Sequence, residues 1–335
     1  MQSTRNTSEA PLIDRYQRRL DYLRLSVTDR CNLSCLYCMP PEGIRYIPHQ
    51  GILRYEEIER LAGLAVSLGI TKIRITGGEP LVRRDLPYLC EKLARLPHFD
   101  SLSLTTNGVL LPQFGRDLYN AGVKRINISL DTLSPEKYAA ITGKYCFFQV
   151  WEGIHQAYVI GFHPIKLNIV VMRGVNDDEI KEMASLTYSY PLHVRFIELM
   201  QSLPGVQERH FLSGGEILKR LEQIGTLLSA HSTNSNGPAH YYRFPGAVGK
   251  IGLISPVSQH GCQTCNRLRM TADGKLRNCL FSQDDVDLRS LVRGGASDGE
   301  IIAAIRRAVW NKPREHSLNR DLGRCLSRPM SAIGG

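Results

Sequence analysis

Two sets of cysteines have the residue types and spacing to do chemistry. Cys31, Cys35 and Cys38 form C-x3-C-x2-C, and Cys262, Cys265 and Cys279 form C-x2-C-x13-C. Soft thiolates at such spacings select zinc or an iron–sulfur cluster. A structural zinc site is normally closed by four protein ligands. The first set has no fourth cysteine or histidine close by, and the next candidate, His49, lies eleven residues past Cys38. A zinc ribbon would place a second C-x-x-C pair in the second set, but Cys279 stands alone. His260 is the neighbour able to complete that set as a zinc site. Otherwise both sets are three-fold, and three thiolates on a four-iron cube leave one iron open to another ligand.

The elements that must position these thiols alternate between strand and helix from Asp21 to Met200. Strand-like runs cover Tyr22–Thr28, Lys72–Thr76, Ser101–Thr105, Arg125–Leu130, Lys166–Val171 and Val194–Leu199. Helical patterns cover Tyr55–Leu68, Asp85–Leu96, Pro112–Ala121, Pro135–Ile141 continuing to Val150–Ile160, and Asp177–Tyr188. Gly69, Gly122 and Gly161 fall at expected helix C-caps. Such alternation predicts right-handed crossovers and a parallel sheet, either open or part of a β/α barrel. The first cysteine loop, Gly77-Gly78-Glu79-Pro80, Thr106-Asn107-Gly108 and Asp131 all follow strand C-termini, where β/α proteins place their sites. Beyond Met200 the pattern loosens. A helix is predicted over Gly214–Leu228, a flexible loop over His231–His240, short strands at Tyr241–Phe244, Gly249–Ile254, Arg267–Thr271 and Leu276–Asn278, and a last helix from Asp298 to Trp310. The expected division is an arm over 1–19, a barrel over 20–200 and an extension over 201–335.

With 335 residues, 42% hydrophobic and 22% charged, the composition is that of a soluble globular chain. No apolar run reaches the ~18 residues of a membrane span, and Met1 to Ala10 lacks a secretory core, so a cytoplasmic location is expected. Arg5, Arg15, Arg18 and Arg19 are interrupted by Glu9 and Asp14, which reads as a disordered or loosely docked arm. Nine cysteines, an odd number, argue against a disulfide framework; Cys90, Cys146 and Cys325 read as buried or incidental thiols. The net charge of +10 (42 minus 32) favours an anionic partner. With no block of five like charges, a nucleic-acid tail is not indicated.

C-x3-C-x2-C with Tyr37 before its last cysteine, together with the Gly-Gly-Glu-Pro element, resembles the radical S-adenosylmethionine (SAM) superfamily. That resemblance implies an incomplete (β/α)6 barrel with an α+β extension. It also implies a 4Fe–4S cluster on Cys31, Cys35 and Cys38 and an open iron that binds and cleaves SAM. Tyr37, Gly78, Glu79, Ser129 and Met200 match SAM-contacting positions. Adding C-x2-C-x13-C, the interposed Arg267-Leu268-Arg269 and the terminal Gly334-Gly335, the chain resembles the GTP 3′,8-cyclases of molybdenum cofactor biosynthesis from about Leu20 onward. In that family a second 4Fe–4S cluster, here on Cys262, Cys265 and Cys279, holds the guanine. The adenosyl radical takes the ribose 3′-hydrogen of GTP, and the carbon radical attacks C8. Arg24, Lys72, Arg74, Lys166, Arg267 and Arg269 match nucleotide-contacting positions, and Thr105 matches the nucleotide side. The resemblance carries Gly334 and Gly335 into the site beside the arginines, so that Arg24, Arg267, Arg269 and both glycines are the expected catalytic residues.

The residues alone add that Lys72 and Arg74 share one strand face, as do Arg267 and Arg269, and that Arg24 points away from Leu23 and Leu25. Inward cations on a barrel strand are costly unless an anion meets them, and a triphosphate suits arginine's planar fork. The resemblance implies an external electron donor and a downstream cyclic pyranopterin monophosphate synthase, and a homodimer is compatible with it. The rivals are a peptide-modifying radical SAM maturase and a cysteine-ligated metal protein that binds nucleic acid. The first usually needs more C-terminal cysteines, and the second has no stacking motif here.

Overall fold

The computed structural model describes residues 10–40, 42–200, 203, 206–230, 237–282, 284–316 and 330–334. The strand–helix alternation is realised as β1 (Tyr22–Ser26), α1 (Tyr55–Ser67), β2 (Lys72–Thr76), α2 (Leu86–Ala94), β3 (Ser101–Thr106), α3 (Leu111–Asn120), β4 (Arg125–Ser129), α4 (Pro135–Thr142), α5 (Phe147–Ile160), β5 (Ile165–Val171), α6 (Ile180–Ser189) and β6 (His193–Glu198). There follow α7 (Val206–His210), α8 (Gly214–Glu222), β7 (Leu228–Ser229), β8 (His240–Arg243), β9 (Lys250–Ile254), β10 (Arg267–Met270), β11 (Lys275–Arg277), β12 (Asp285–Asp287), α9 (Leu288–Arg293), α10 (Asp298–Trp310) and α11 (Met330–Ile333).

All twelve strands form one sheet in the order β12-β11-β10-β1-β2-β3-β4-β5-β6-β9-β8-β7. The six expected strands are its centre. The chain beyond Met200 also lengthens the parallel sheet, with β10 pairing β1 and β9 pairing β6, both parallel. Among the described residues the sheet does not close, because its outermost strands are β12 and β7.

Alternation along each strand separates two surfaces. Leu23, Leu25, Ile73, Ile75, Leu102 and Leu104 are at most 4% exposed and belong to the main hydrophobic core. The opposite face is polar, and in-register pairing sets its residues side by side. Arg269, Arg24, Arg74, Ser103 and Arg125 form one row across five strands. Thr105, Asn127, Lys166, His193 and Lys250 form a second row.

Three expectations differ from the structure. The long helical pattern after Pro135 is two helices, because α4 ends on Gly143 in the left-handed conformation (φ 72°). The helix over Gly214–Leu228 stops at Glu222, and Leu228 begins β7 instead. Residues 10–19 are packed rather than loosely docked: Leu12, Asp14 and Arg18 are at most 8% exposed, and Ile13 bridges Arg19. The predicted loop over His231–His240 lies mostly outside the described residues, as do Gly335 and Cys325.

Candidate active site

One cavity of ≈ 450 Å³ runs along the polar face of the sheet and is lined by all six clustered cysteines. The topology sets the two cysteine groups at opposite ends. Cys31 follows the C-terminus of β1, whereas Cys265 precedes β10, whose first residue pairs with the first residue of β1. A five-residue strand lies between them, about 17 Å at ~3.3 Å per residue.

Tight contacts between two loops hold the first cysteine group in place. Gly78 N–H donates to Thr28 O and Glu79 N–H to Arg30 O, each at 2.8 Å. A Cβ on Gly78 would sit 2.4 Å from Arg30 O, so only glycine allows this approach at the root of the cysteine loop. Burial pushes the Cys31 thiol up to about 11 and Cys38 up to about 12, and holds Cys35 well above its ordinary value. A metal that binds these thiols has to displace their protons. In the second group burial raises Cys262 as well, but Cys265 differs. Burial pushes Cys265 up, but Arg267 and Lys312 outweigh it and bring the thiol down to about 6. Lys312, 2% exposed, donates through Nζ to Arg267 O at 3.1 Å and to Asn278 O, bracing the strands that carry Cys265 and Cys279.

Tyr37, Gly78, Ser129, Met200, Arg24, Lys72, Arg74, Thr105, Lys166, Arg267 and Arg269 all line the cavity. Arg24 Nη2 donates to Gly334 O at 3.0 Å and Arg269 Nη1 to the same oxygen at 3.4 Å, so the tail does reach the arginines. Tyr37 Oη donates to Asp131 Oδ2 at 2.8 Å. Burial pushes the Asp131 carboxyl up to about 6, partly offset by donors from Val170 N–H and Tyr37. Lys72 keeps an acidic partner, Asp21, at 3.3 Å.

Glu79, matched by resemblance to a SAM-contacting position, makes structural contacts of its own. Its carboxylate does not line the cavity and is 1% exposed. It accepts from Leu81 N–H at 3.0 Å, Thr106 Oγ1 at 2.7 Å and Asn107 N–H at 2.7 Å. Asn107 Nδ2 in turn donates to Asn32 Oδ1 at 2.8 Å, inside the cysteine loop. Glu79 therefore ties the ends of β2 and β3 to that loop. In Glu79→Gln the new amide must face one of these donors. A loss of roughly 1–3 kcal/mol, the cost of a buried unsatisfied donor, should appear as a lower chemical midpoint and a lower iron content in the first site.

Two side chains at or near the cavity escaped sequence reasoning. Arg195 lines the cavity next to Lys166, donating through Nε to Asn168 Oδ1 at 2.9 Å. Gly252 leaves room for it, since a Cβ there would be 2.8 Å from Arg195 Cγ. Position 195 falls inside a hydrophobic strand, Val194–Leu199, and only its in-register place opposite Asn168 marks it. Arg18 reaches across from the N-terminal segment. It pairs with Asp14 at 2.6 Å and donates to Cys262 O at 2.6 Å, Pro313 O at 2.6 Å and Arg314 O at 3.0 Å. Nothing local signals a contact 244 residues away. Arg18→Met should cost roughly 1–3 kcal/mol through the carbonyls and carboxylate it leaves unpaired, and iron should leave the second site faster under chelation.

The cations set what the cavity can hold. Burial comes first in depressing Arg24 and Arg269, the latter to about 10, and neighbouring arginines add to it. Burial and then Arg195, Arg74, Arg125 and Lys250 bring Lys166 down to about 7. Such a wall calls for a polyanion with several charges. Paired three-cysteine groups at either end suit two clusters.

The class this fold and site define is the radical SAM superfamily, whose family model matches residues 25–187; residues 192–318 match a second model, Molybdenum Cofactor Synthesis C. More narrowly, the chain belongs to the GTP 3′,8-cyclase family. It is 48% identical over 325 residues to the GTP 3′,8-cyclase of Pelotomaculum thermopropionicum, covering 96% of this chain and 99% of that protein. It is likewise 48% identical over 328 residues to the GTP 3′,8-cyclase of Thermodesulfovibrio yellowstonii, covering 96% and 99%. Streptococcus suis SuiB, solved bound to S-adenosylmethionine, shares the fold with a TM-score of 0.61 at 15% identity, over 87% of this chain and 69% of that one. Among the described residues no helix is long and apolar enough to cross a membrane.

Proposed function

We propose that this chain is a radical SAM enzyme that converts GTP to its 3′,8-cyclised dihydro form, the first step of molybdenum cofactor biosynthesis. The observation that carries the reading is the single cavity with a three-cysteine group at each end and a wall of buried and half-buried cations between. Cys31, Cys35 and Cys38 hold the cluster that binds SAM, and Cys262, Cys265 and Cys279 hold the cluster that grips the base. When bound, the first cluster and SAM supply a carbon radical able to take a ribose hydrogen.

The chain's own residues bind, orient and exclude water. Arg24, Arg74, Lys166, Arg267 and Arg269, with Arg195, meet the triphosphate, and Lys72 and Thr105 flank it. Tyr37, Gly78, Ser129 and Met200 surround SAM, with Glu79 acting through the cysteine loop. Gly334 fixes Arg24 and Arg269 through its carbonyl. A sheet extended past Met200 on both edges lengthens the cavity wall, and a reactive radical requires that water be kept from it. The same reading gives the enzyme a cytoplasmic setting, an external one-electron donor, a downstream cyclic pyranopterin monophosphate synthase and no nucleic-acid partner.

Anaerobic reconstitution followed by incubation with GTP, SAM and a strong reductant tests this. The expected products are an isomer of GTP and 5′-deoxyadenosine whose formation depends on GTP, from protein holding about eight irons and no zinc. Protein stripped of zinc beforehand that still takes up only about four irons, or that forms no GTP isomer, contradicts the reading.

A further inference from the structure

Beside the second cysteine group stand two imidazoles that the reaction leaves unused. Ligand atoms of His260, Cys262 and His316 lie within 4.8 Å of one another, and all three residues line the cavity. The His316 ring is 9% exposed and held between His260, at 4.5 Å between centroids, and Phe281, at 4.8 Å. Its Nε2 faces Pro256 O at 3.1 Å. Only a protonated Nε2 makes that hydrogen bond, so Nδ1 carries the lone pair. Nδ1 of His316 and Nδ1 of His260 are both buried without a hydrogen-bond partner. Leaving two such atoms bare is costly. A ring fixed by a carbonyl on one nitrogen, with the other turned inward, is how metal-binding histidines are commonly held.

We propose that His260, Cys262 and His316 form a mononuclear site for a late divalent transition metal, zinc foremost, in the chain that lacks its second cluster. One thiolate and two imidazoles give three of the four ligands of a tetrahedral zinc site, and water completes it. Binding releases the Cys262 thiol proton and leaves both imidazoles neutral. Because Cys262 is also assigned to the second cluster, the two occupancies exclude one another, and only this clause rests on the proposed function. Zinc precedes ferrous iron in affinity for such donors, so zinc that arrives first blocks iron.

The test uses the full chain, stripped of iron under anaerobic reducing conditions and titrated with Co(II) as the probe. The expected result is visible absorption of tetrahedral thiolate-bound cobalt, displaced by Zn(II). Affinity should fall by on the order of tenfold or more in His316→Ala and in His260→Ala. X-ray absorption of the zinc-loaded wild-type chain, which needs no variant, should show imidazole nitrogens and one sulfur in the first shell. A zinc shell made only of sulfur, as Cys31, Cys35 and Cys38 would give, or only of oxygen, overturns the site. So does unchanged Co(II) affinity in the His260→Ala/His316→Ala double variant. Zinc-loaded chain carried through reconstitution should accept about four irons rather than about eight. A chain that keeps its zinc and still takes about eight overturns the exclusion, and with it Cys262 as a cluster ligand, while the spectroscopy judges the site separately.

Discussion

Gly334→Ala is expected to lower cyclisation on the order of 10²–10³-fold while iron content and the fold are retained. The backbone at Gly334 has φ 80°, in the left-handed region that suits glycine. A Cβ there would also lie 2.6 Å from Thr76 Oγ1 and 3.2 Å from Ser26 Cβ. The carbonyl that Arg24 and Arg269 share would have to move, and both guanidinium groups with it. Misplacing a catalytic group by about 1 Å costs roughly 10²-fold, and two groups move here. Steady-state assays of the cyclised product should show the loss, while uncoupled SAM cleavage persists. Adding one residue after Gly335 should have the same phenotype. Full cyclisation by either variant would refute this role for the tail.

Lys166 is expected to make nucleotide binding pH-dependent. Burial and the cations around it bring its ammonium group down to about 7. Below that pH it is charged and meets the triphosphate; above it the neutral amine adds nothing. Affinity for GTP should therefore fall as pH rises from about 6.5 to 9, with proton uptake on binding near pH 7 to 8. Removing a hydrogen bond to a charged group costs ~1.5–3 kcal/mol, so Lys166→Met should bind roughly 10–100-fold more weakly at pH 6.5 and almost equally at pH 9. The terminal phosphate of GTP titrates in both proteins, so the difference between their profiles isolates the lysine. Calorimetry in two buffers of unlike ionisation enthalpy reads the proton directly. Parallel profiles for the two proteins would show that Lys166 does not meet the nucleotide.

Much of this was legible before any coordinates. Alternating charge and aliphatic residues in Tyr22–Ser26 and Lys72–Thr76 already put Arg24, Lys72 and Arg74 on one face, and the sheet keeps them there. The cysteine spacings narrowed the chemistry to zinc or an iron–sulfur cluster, and the resemblance to the radical SAM superfamily chose between them. What stayed hidden depends on contacts distant in sequence. Glu79 was matched to SAM only through the resemblance of its Gly-Gly-Glu-Pro element, and nothing local signalled that its carboxylate accepts from Thr106 and Asn107. Arg18 sat in a segment whose local composition reads as loose, while its partners lie near residues 262 and 313. The strands β9 and β10 were recognised as strands, yet short strands carry no signal of which edge they join. Only the parallel register with β1 and β6 shows that they extend the cavity wall.

The central claim is that one cavity brings the adenosyl group of SAM against the ribose of GTP held at the other end. Incubating the reconstituted enzyme with GTP deuterated at the 3′ carbon, and weighing the 5′-deoxyadenosine formed, tests it directly. One deuterium per molecule, accompanying formation of the GTP isomer, is the predicted result. Deuterium-free 5′-deoxyadenosine under the same conditions would contradict it.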